Sequence, residues 1–206
     1  MRNLIAFTLF FIMLPAHAES KWEWEASIMA GTSGSDSFEE SEDSDYKLDT
    51  ESGDTIAFTL NLLDGHKKGN KLQYELYLAQ SETDLELFDN NGTRTTSPMD
   101  IRYYHFGGTY EFVHRDTGLR PYIGATLGAT HFDPEDYSSE TNFSMGFAGG
   151  LKWLANDFIG FRLDGRAIAT AMDSNKRIFC NGGCIAQVDS EIWWQYQVTA
   201  GLLVKF

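Results

Sequence analysis

Eleven ionisable residues recur at alternate positions along stretches that are otherwise apolar on every second residue. They are Glu23, Glu25, Glu75, His105, Glu111, Arg120, Lys152, Arg162, Asp164, Arg166 and Lys205. Their signs are mixed. Buried alone, each would cost several kcal/mol, on the order of the effective penalty for a desolvated ion; buried together they can neutralise one another. The chemistry they suggest is a salt-bridged polar core rather than a reaction. A second set lies between residues 34 and 53, where Asp36, Glu39, Glu40, Glu42, Asp43, Asp45, Asp49 and Glu51 face one base, Lys47. Carboxylate oxygens suit hard cations, although the spacing is not that of a helix–loop–helix calcium site. A solvated acidic loop, open to cations or to a basic partner, is the reading carried forward. The third set is Cys180-Asn-Gly-Gly-Cys184. Two thiols with no histidine close in sequence make a poor metal site. Asn-Gly-Gly is turn chemistry that brings the ends together, so a disulfide is expected in an exported chain.

The elements that must position these groups have a period of two. The stretch IWWQYQVTAGLLVKF, 192–206, places Ile192, Trp194, Tyr196, Val198, Ala200, Leu202, Val204 and Phe206 on one face. Gln195, Gln197, Thr199, Gly201 and Lys205 fall on the other, with Trp193 and Leu203 as its apolar exceptions. Strict alternation means a strand with one apolar face. Fifteen residues is long for a globular strand, which usually has about 5–6, and suits one tilted across a bilayer. The same alternation recurs in 22–31, 55–63, 71–83, 101–113, 119–132, 142–154 and 158–172. Between them, residues 34–53, 84–100, 133–141 and 173–191 form long polar connections. The connections at 65–70, 114–118 and 155–157 are short. Eight alternating segments, with long and short connections taking turns, predict an all-β, eight-stranded antiparallel up-and-down transmembrane β-barrel. Both termini then fall at the end with the short turns.

The first 18 residues read as a cleaved signal peptide. Arg2 precedes an apolar run from Leu4 to Leu14, and Ala16-His-Ala18 is a small-x-small cleavage site. The predicted barrel domain is 19–206. Removing residues 1–18 takes away Arg2 and no acid, so 15 bases remain against 30 acids, a net charge of −15. That balance argues against nucleic-acid binding, which draws on basic patches. No later stretch has the roughly 18 consecutive apolar residues of a spanning helix, which leaves a closed barrel as the way to cross a membrane.

The signal, the eight segments and the terminal Phe206 together resemble the small outer-membrane β-barrel proteins of Gram-negative bacteria, the OmpX/OmpW-like, "porin family" group. GLRPYIGATLGATHF, 118–132, resembles the fifth strand of that group and SMGFAGGLK, 144–152, the sixth. The resemblance implies that Phe206 is a signal read by the barrel-assembly machinery. It also implies a location in the outer membrane with both termini periplasmic. Partners would be outer-membrane lipid, lipopolysaccharide and periplasmic chaperones; a monomer is expected and no cofactor is implied. Some barrels of this size modify lipid A, and the deacylase type is implied to use a histidine followed two residues later by a serine. Here His131 is followed by Asp133, His105 by Gly107 and His114 by Asp116. No enzyme is expected. An eight-stranded barrel has an interior just filled by side chains, so a plugged lumen with a structural or surface role is the primary expectation. A narrow channel for small hydrophobic or polar solutes is the alternative, with Trp193, Leu203 and Phe132 as the residues that could line it.

Overall fold

The computed structural model describes residues 23–36, 46–50, 52–67, 70–89, 94–113, 118–135, 138–172, 177–180, 184–187 and 192–206. Residues 1–18 and the acidic residues Glu39, Glu40, Glu42, Asp43 and Asp45 lie outside that set. The described elements are β1 (Trp24–Ser35), β2 (Tyr46–Thr50), β3 (Gly53–Lys67), β4 (Asn70–Asp89), β5 (Arg94–Glu111), β6 (Leu119–Pro134), β7 (Glu140–Leu154), β8 (Ile159–Ala171), β9 (Arg177–Cys180), β10 (Cys184–Gln187) and β11 (Ile192–Lys205).

Eight of these strands close on themselves in the order β1-β3-β4-β5-β6-β7-β8-β11, each antiparallel to the next, with β11 returning to β1. The backbone groups of Trp24 and Phe206 exchange two hydrogen bonds of 2.9 Å at the seam. The register fixes the barrel's shear. Starting at Trp24, the paired residues run Leu62, Tyr74, Gly108, Ala125, Phe147, Ala167 and Tyr196, and the walk returns to β1 at Gly34, ten residues on. Eight strands with a shear of ten tilt the strands by about 40°.

The two ends of the barrel differ. The terminal end carries Trp24, Phe206 and the hairpins β3–β4, β5–β6 and β7–β8; the loop end carries the other connections. One of the connections expected to be long and polar, 84–100, is largely strand. β4 and β5 pair from Lys71/Glu111 out to Phe88/Arg94, so only residues 90–93 separate them. The alternation that ends near residue 83 marks where the apolar face stops, not where backbone pairing stops. β2, within 34–53, pairs with the far part of β4, and β9 pairs with β10 inside 173–191.

Burial follows the alternation with its usual sense inverted. Ile56, Phe106, Ile123, Leu127, Val198 and Leu202 point outward and are more than half exposed. Glu75, Asn61, Thr59, Arg162 and Thr170 point inward and are buried. A chain that put this apolar girdle in water would forfeit the transfer free energy that normally drives folding. The girdle therefore identifies the solvent it was built for.

Candidate functional site: the packed interior of the barrel

Charged side chains reach the interior because inward positions alternate with outward ones on all eight strands. From the terminal end they stack in tiers. At the floor, Glu23, just outside β1, pairs with Lys71 of β4 and with Lys205 of β11, the latter at 3.1 Å. Burial alone would raise the Glu23 carboxyl, but the two ammonium groups outweigh it and hold it below the ordinary 4.5. Above it, Lys152 Nζ lies 2.6 Å from Glu25 Oε2, 2.8 Å from Gln73 Oε1 and 3.1 Å from Glu111 Oε2. Glu111 also accepts from Arg120 Nη1 at 3.2 Å.

The next tier is the densest. Arg162 Nη2 donates to Glu75 Oε2 at 2.7 Å and to Asp164 Oδ2 at 2.8 Å. Its Nη1 donates to Thr59 and Asn61, and its Nε to the Tyr122 hydroxyl at 2.9 Å. Arg166 Nη2 donates to the other oxygen of Glu75 at 2.8 Å, and its Nε lies 3.3 Å from Asp164. Two aromatic rings bracket these cations. The Arg162 guanidinium and Lys152 Nζ lie 4.6 and 5.6 Å from the Tyr122 ring centroid, and the Arg166 guanidinium 3.7 Å from that of Tyr77. Each contact is an attraction between a cation and a ring face in a dry site.

The fully buried ions balance. Among the described residues, Glu25, Glu75, Glu111 and Asp164 face Lys71, Lys152, Arg162 and Arg166, four against four. The net charge of −14 on the whole chain is thus carried outside this core. A neutral interior is what desolvation demands, since an uncompensated buried ion is the costly case.

His105 and Tyr122 each lie across a neighbouring strand to reach a partner, and a glycine makes room each time. Tyr122 on β6 donates to Asp164 on β8, passing over Gly150 of β7, which pairs with both residues in the register. A Cβ on Gly150 would lie 2.6 Å from the Tyr122 hydroxyl oxygen. His105 on β5 likewise reaches Ser144 on β7 across Gly128 of β6. Its Nε2 is 2.8 Å from Ser144 Oγ and its Nδ1 3.1 Å from Thr126 Oγ1. Ser144 continues to Thr130 at 2.9 Å, Thr130 to Thr170 at 3.2 Å, and Thr170 to Gln195 at 3.3 Å. The His105–Ser144 contact has the atoms of a hydrolytic dyad. Both residues are sealed at 0–1% exposure, and neither nitrogen of the ring meets a carboxylate.

Beyond the hydroxyl chain, the loop end of the interior turns apolar. Ile101, Tyr103, Phe132, Ile168, Met172 and Trp193 are buried together, with the Phe132 and Trp193 rings 5.3 Å apart. Trp193 Nε1 donates to the carbonyl of Asp36 at 2.9 Å. A cavity of about 10 Å³ lies here, bounded by Ser33, Ile101, Tyr103, Trp193 and Gln195. That is near the space one water needs. Gln195 Nε2 has no acceptor in the structure, and such a water would supply one.

Of the eleven ionisable residues, Glu25, Glu75, His105, Glu111, Lys152, Arg162, Asp164 and Arg166 are buried, while Glu23, Arg120 and Lys205 are partly exposed. What sequence reasoning missed is the apolar tier. Ile101, Ile168 and Met172 sit on the inward parity of their strands, so alternation does carry the signal; the neighbouring charges drew the reading elsewhere. Ser144 and Tyr122 were also missed as partners, because residues on strands two apart have no signature spacing. Cys180 and Cys184 occupy directly opposed positions in the β9–β10 ladder. Phe206 is exposed beside the seam, on the apolar face.

No protein-family model matches the chain, and no curated protein matches it. Solved structures do. The outer membrane protein OprG from Pseudomonas aeruginosa superposes with a TM-score of 0.61 at 11% identity, over 89% of this chain and 95% of that one. Neisserial surface protein A, NspA, gives 0.57 at 12%, over 90% and 97%. The outer membrane protein AlkL in lipid bilayers gives 0.57 at 12%, over 94% and 95%. Identities this low establish a shared fold, that of the small eight-stranded outer-membrane barrels, and leave activity open.

Proposed function

We propose that this chain is an integral outer-membrane barrel with a closed interior, which acts structurally and through the connections at its loop end. The observation that carries this reading is the continuous packing of the interior, from the Glu23 floor to the Trp193 ring. The cavity beside Trp193 and Gln195 has room for about one water. In this reading the apolar girdle contacts lipid. The termini lie in the periplasm after cleavage behind Ala18, and Phe206 serves as an assembly signal. The acidic residues Glu39, Glu40, Glu42, Asp43 and Asp45, outside the described residues, are the groups that would meet cations or a basic partner. A Cys180–Cys184 disulfide closes the β9–β10 ladder. Lipopolysaccharide, the barrel-assembly machinery and periplasmic chaperones are its partners, and the barrel works as a monomer without a cofactor. It is not an enzyme in this reading, because the one histidine–serine contact described above is walled off from any substrate.

Planar-bilayer recording on the purified chain is the test. Flat current across the physiological voltage range is expected, and a steady single-channel conductance would overturn the closed reading. A second reading has a specific observation behind it. The apolar tier of Ile101, Phe132, Met172 and Trp193 resembles the lining of an entrance for small hydrophobic solutes. The charged tiers beneath it would stop such a solute, so this route needs a lateral exit through the wall. Vesicle uptake of a small hydrophobic solute, compared with empty vesicles, distinguishes the two.

A further inference from the structure

The outward-facing apolar girdle is level at the terminal end and uneven at the loop end. Because the register walk gains ten residues in eight strands, each step around the barrel climbs about 1.25 residues toward the loop end. Corrected for this climb, Leu62, Leu72, Leu119, Trp153, Ile159 and Val204 stand within about two residues of one height. They mark a flat lower boundary.

The upper boundary is not flat. On β3, β4 and β5 the outward apolar run stops at Ile56, Leu78 and Tyr104. Directly above lies a single register row of carboxylates, Asp54, Glu82, Asp100 and Asp133, running across β3 to β6. Arg102 is its described cation, 3.3 Å from Asp100 and 3.2 Å from Asp133. At the same heights the opposite wall is still apolar. It carries Phe143 on β7, Ala169 and Ala171 on β8, and Trp194 and Ile192 on β11. Phe143 and Ile192 are more than half exposed. With a rise of about 3.3 Å per residue and a tilt of about 40°, this shoulder stands about 10 Å above the apolar edge on β4.

We propose that the shoulder on β7, β8 and β11 is covered by lipid acyl chains, so that the outer edge of the lipid contact runs obliquely around the barrel. The inference rests on the membrane reading above. It is argued from continuity: Phe143 follows Met145 and Phe147 on β7, and Ile192 and Trp194 follow Tyr196 and Val198 on β11, where the Tyr196 hydroxyl, 3.4 Å from the Asp36 carboxylate, marks the polar margin of the shoulder toward β1. A rigid tilt of the barrel cannot level this edge, because it would lift or sink the flat lower edge by the same amount. The bilayer must instead adapt locally, thicker beside β8 and thinner beside β4, as lipids do around mismatched spans.

Site-directed spin labelling in dimyristoyl-phosphatidylcholine vesicles tests this. The full chain carries serine at both native cysteine positions and one new cysteine, from Ala171→Cys, Glu82→Cys or Val198→Cys. The label at 171 should match the mid-girdle label at 198, with collisions favouring oxygen over a water-soluble nickel chelate. The label at 82, at nearly the same height, should favour nickel. Equal nickel access at 171 and 82 overturns the proposal. Spin–spin broadening at 171 also overturns it, by showing a second copy on the shoulder. Nickel access at 198 as well would show instead that the membrane reading has failed. If the Ala171→Cys chain does not fold, Phe143→Cys reads the same shoulder.

Discussion

Replacing Arg162 with methionine keeps most of the side-chain volume and removes one positive charge from the middle of the barrel. Arg162 makes ion pairs of 2.7 Å to Glu75 and 2.8 Å to Asp164, and three further hydrogen bonds to Thr59, Asn61 and Tyr122. After substitution, Glu75 and Asp164 share only Arg166, and the buried ions become four acids against three bases. Breaking a buried pair by removing one partner costs about 3–5 kcal/mol, most of it for the charge left behind. At about 2 kcal/mol per molar urea, the unfolding midpoint in vesicles should fall by roughly 2 M. The double variant Arg162→Met, Glu75→Gln restores neutrality and should regain much of that loss. The assay is equilibrium urea unfolding followed by tryptophan emission, with the fractions cross-checked on an unheated gel. Two results would refute the reasoning. One is a single variant within about 1 kcal/mol of the parent. The other is a double variant that is worse by the sum of its singles, since the ions would then not be acting as a unit.

The glycine crossings predict a sharp positional contrast. Gly150→Ala puts a methyl 2.1 Å from the Leu163 carbonyl oxygen and 2.6 Å from the Tyr122 hydroxyl, and should cost about 2 kcal/mol or more. Gly149→Ala, whose nearest neighbour would be 3.9 Å away, should stay within about 0.5 kcal/mol in the same urea assay. Ser144→Ala leaves His105 Nε2 and Thr130 without their shared partner and should cost about 1–3 kcal/mol, with bilayer current still flat. Glu23, whose carboxyl is held below 4.5, contributes stability that is fully present above the unfolded value and is lost as pH falls through its depressed one. The urea midpoints of the parent and Glu23→Gln should therefore differ at neutral pH and converge as pH drops below 4.5; a gap that stays constant with pH would exclude the carboxylate as its source. Thiol alkylation of the unfolded full chain should be absent before reduction and modify both cysteines after treatment with a reductant, and free thiols beforehand would exclude the Cys180–Cys184 bridge.

Period-two alternation made the eight strands and their closure legible, because lipid outside and packed side chains inside enforce opposite polarities on neighbouring residues. It failed where that enforcement ends. β4 and β5 continue as paired strands past Ser81 and Ile101 into TDLELFD and RTTSP, where neither face has to meet lipid. Pairing there continues through the backbone ladder, and the short alternation of Leu85 and Leu87 with Asp84 and Glu86 carries no outward apolar face to mark it. The inward faces were legible as a set of charges but not as a wiring diagram. The Tyr122–Asp164 and His105–Ser144 contacts follow from shear, which sets which inward residues look across which strand.

That geometry also explains why the interior can be both charged and closed. In an eight-stranded barrel the lumen is only wide enough for side chains, so a long residue must lie across the wall rather than stand upright from it. His105 and Tyr122 do so where the strand beneath has no Cβ. Gly128 and Gly150 provide those places, and they set the tiers on which His105 and Tyr122 lie. Tyr122 then presents its ring to both Lys152 and Arg162, giving two like charges a shared attractive surface. The balance of four acids and four bases depends on this spacing as much as on composition. If Tyr122 became phenylalanine the ring would remain, but Asp164 would lose its hydroxyl donor and Arg162 an acceptor. A loss smaller than that of Arg162→Met is therefore expected, about 1–3 kcal/mol. Tyr122→Ala, which also removes the ring that both cations contact, should cost about 3–5 kcal/mol. Equal losses from the two substitutions would show that the hydroxyl matters and the ring does not, and the tiered description of this core would have to be given up.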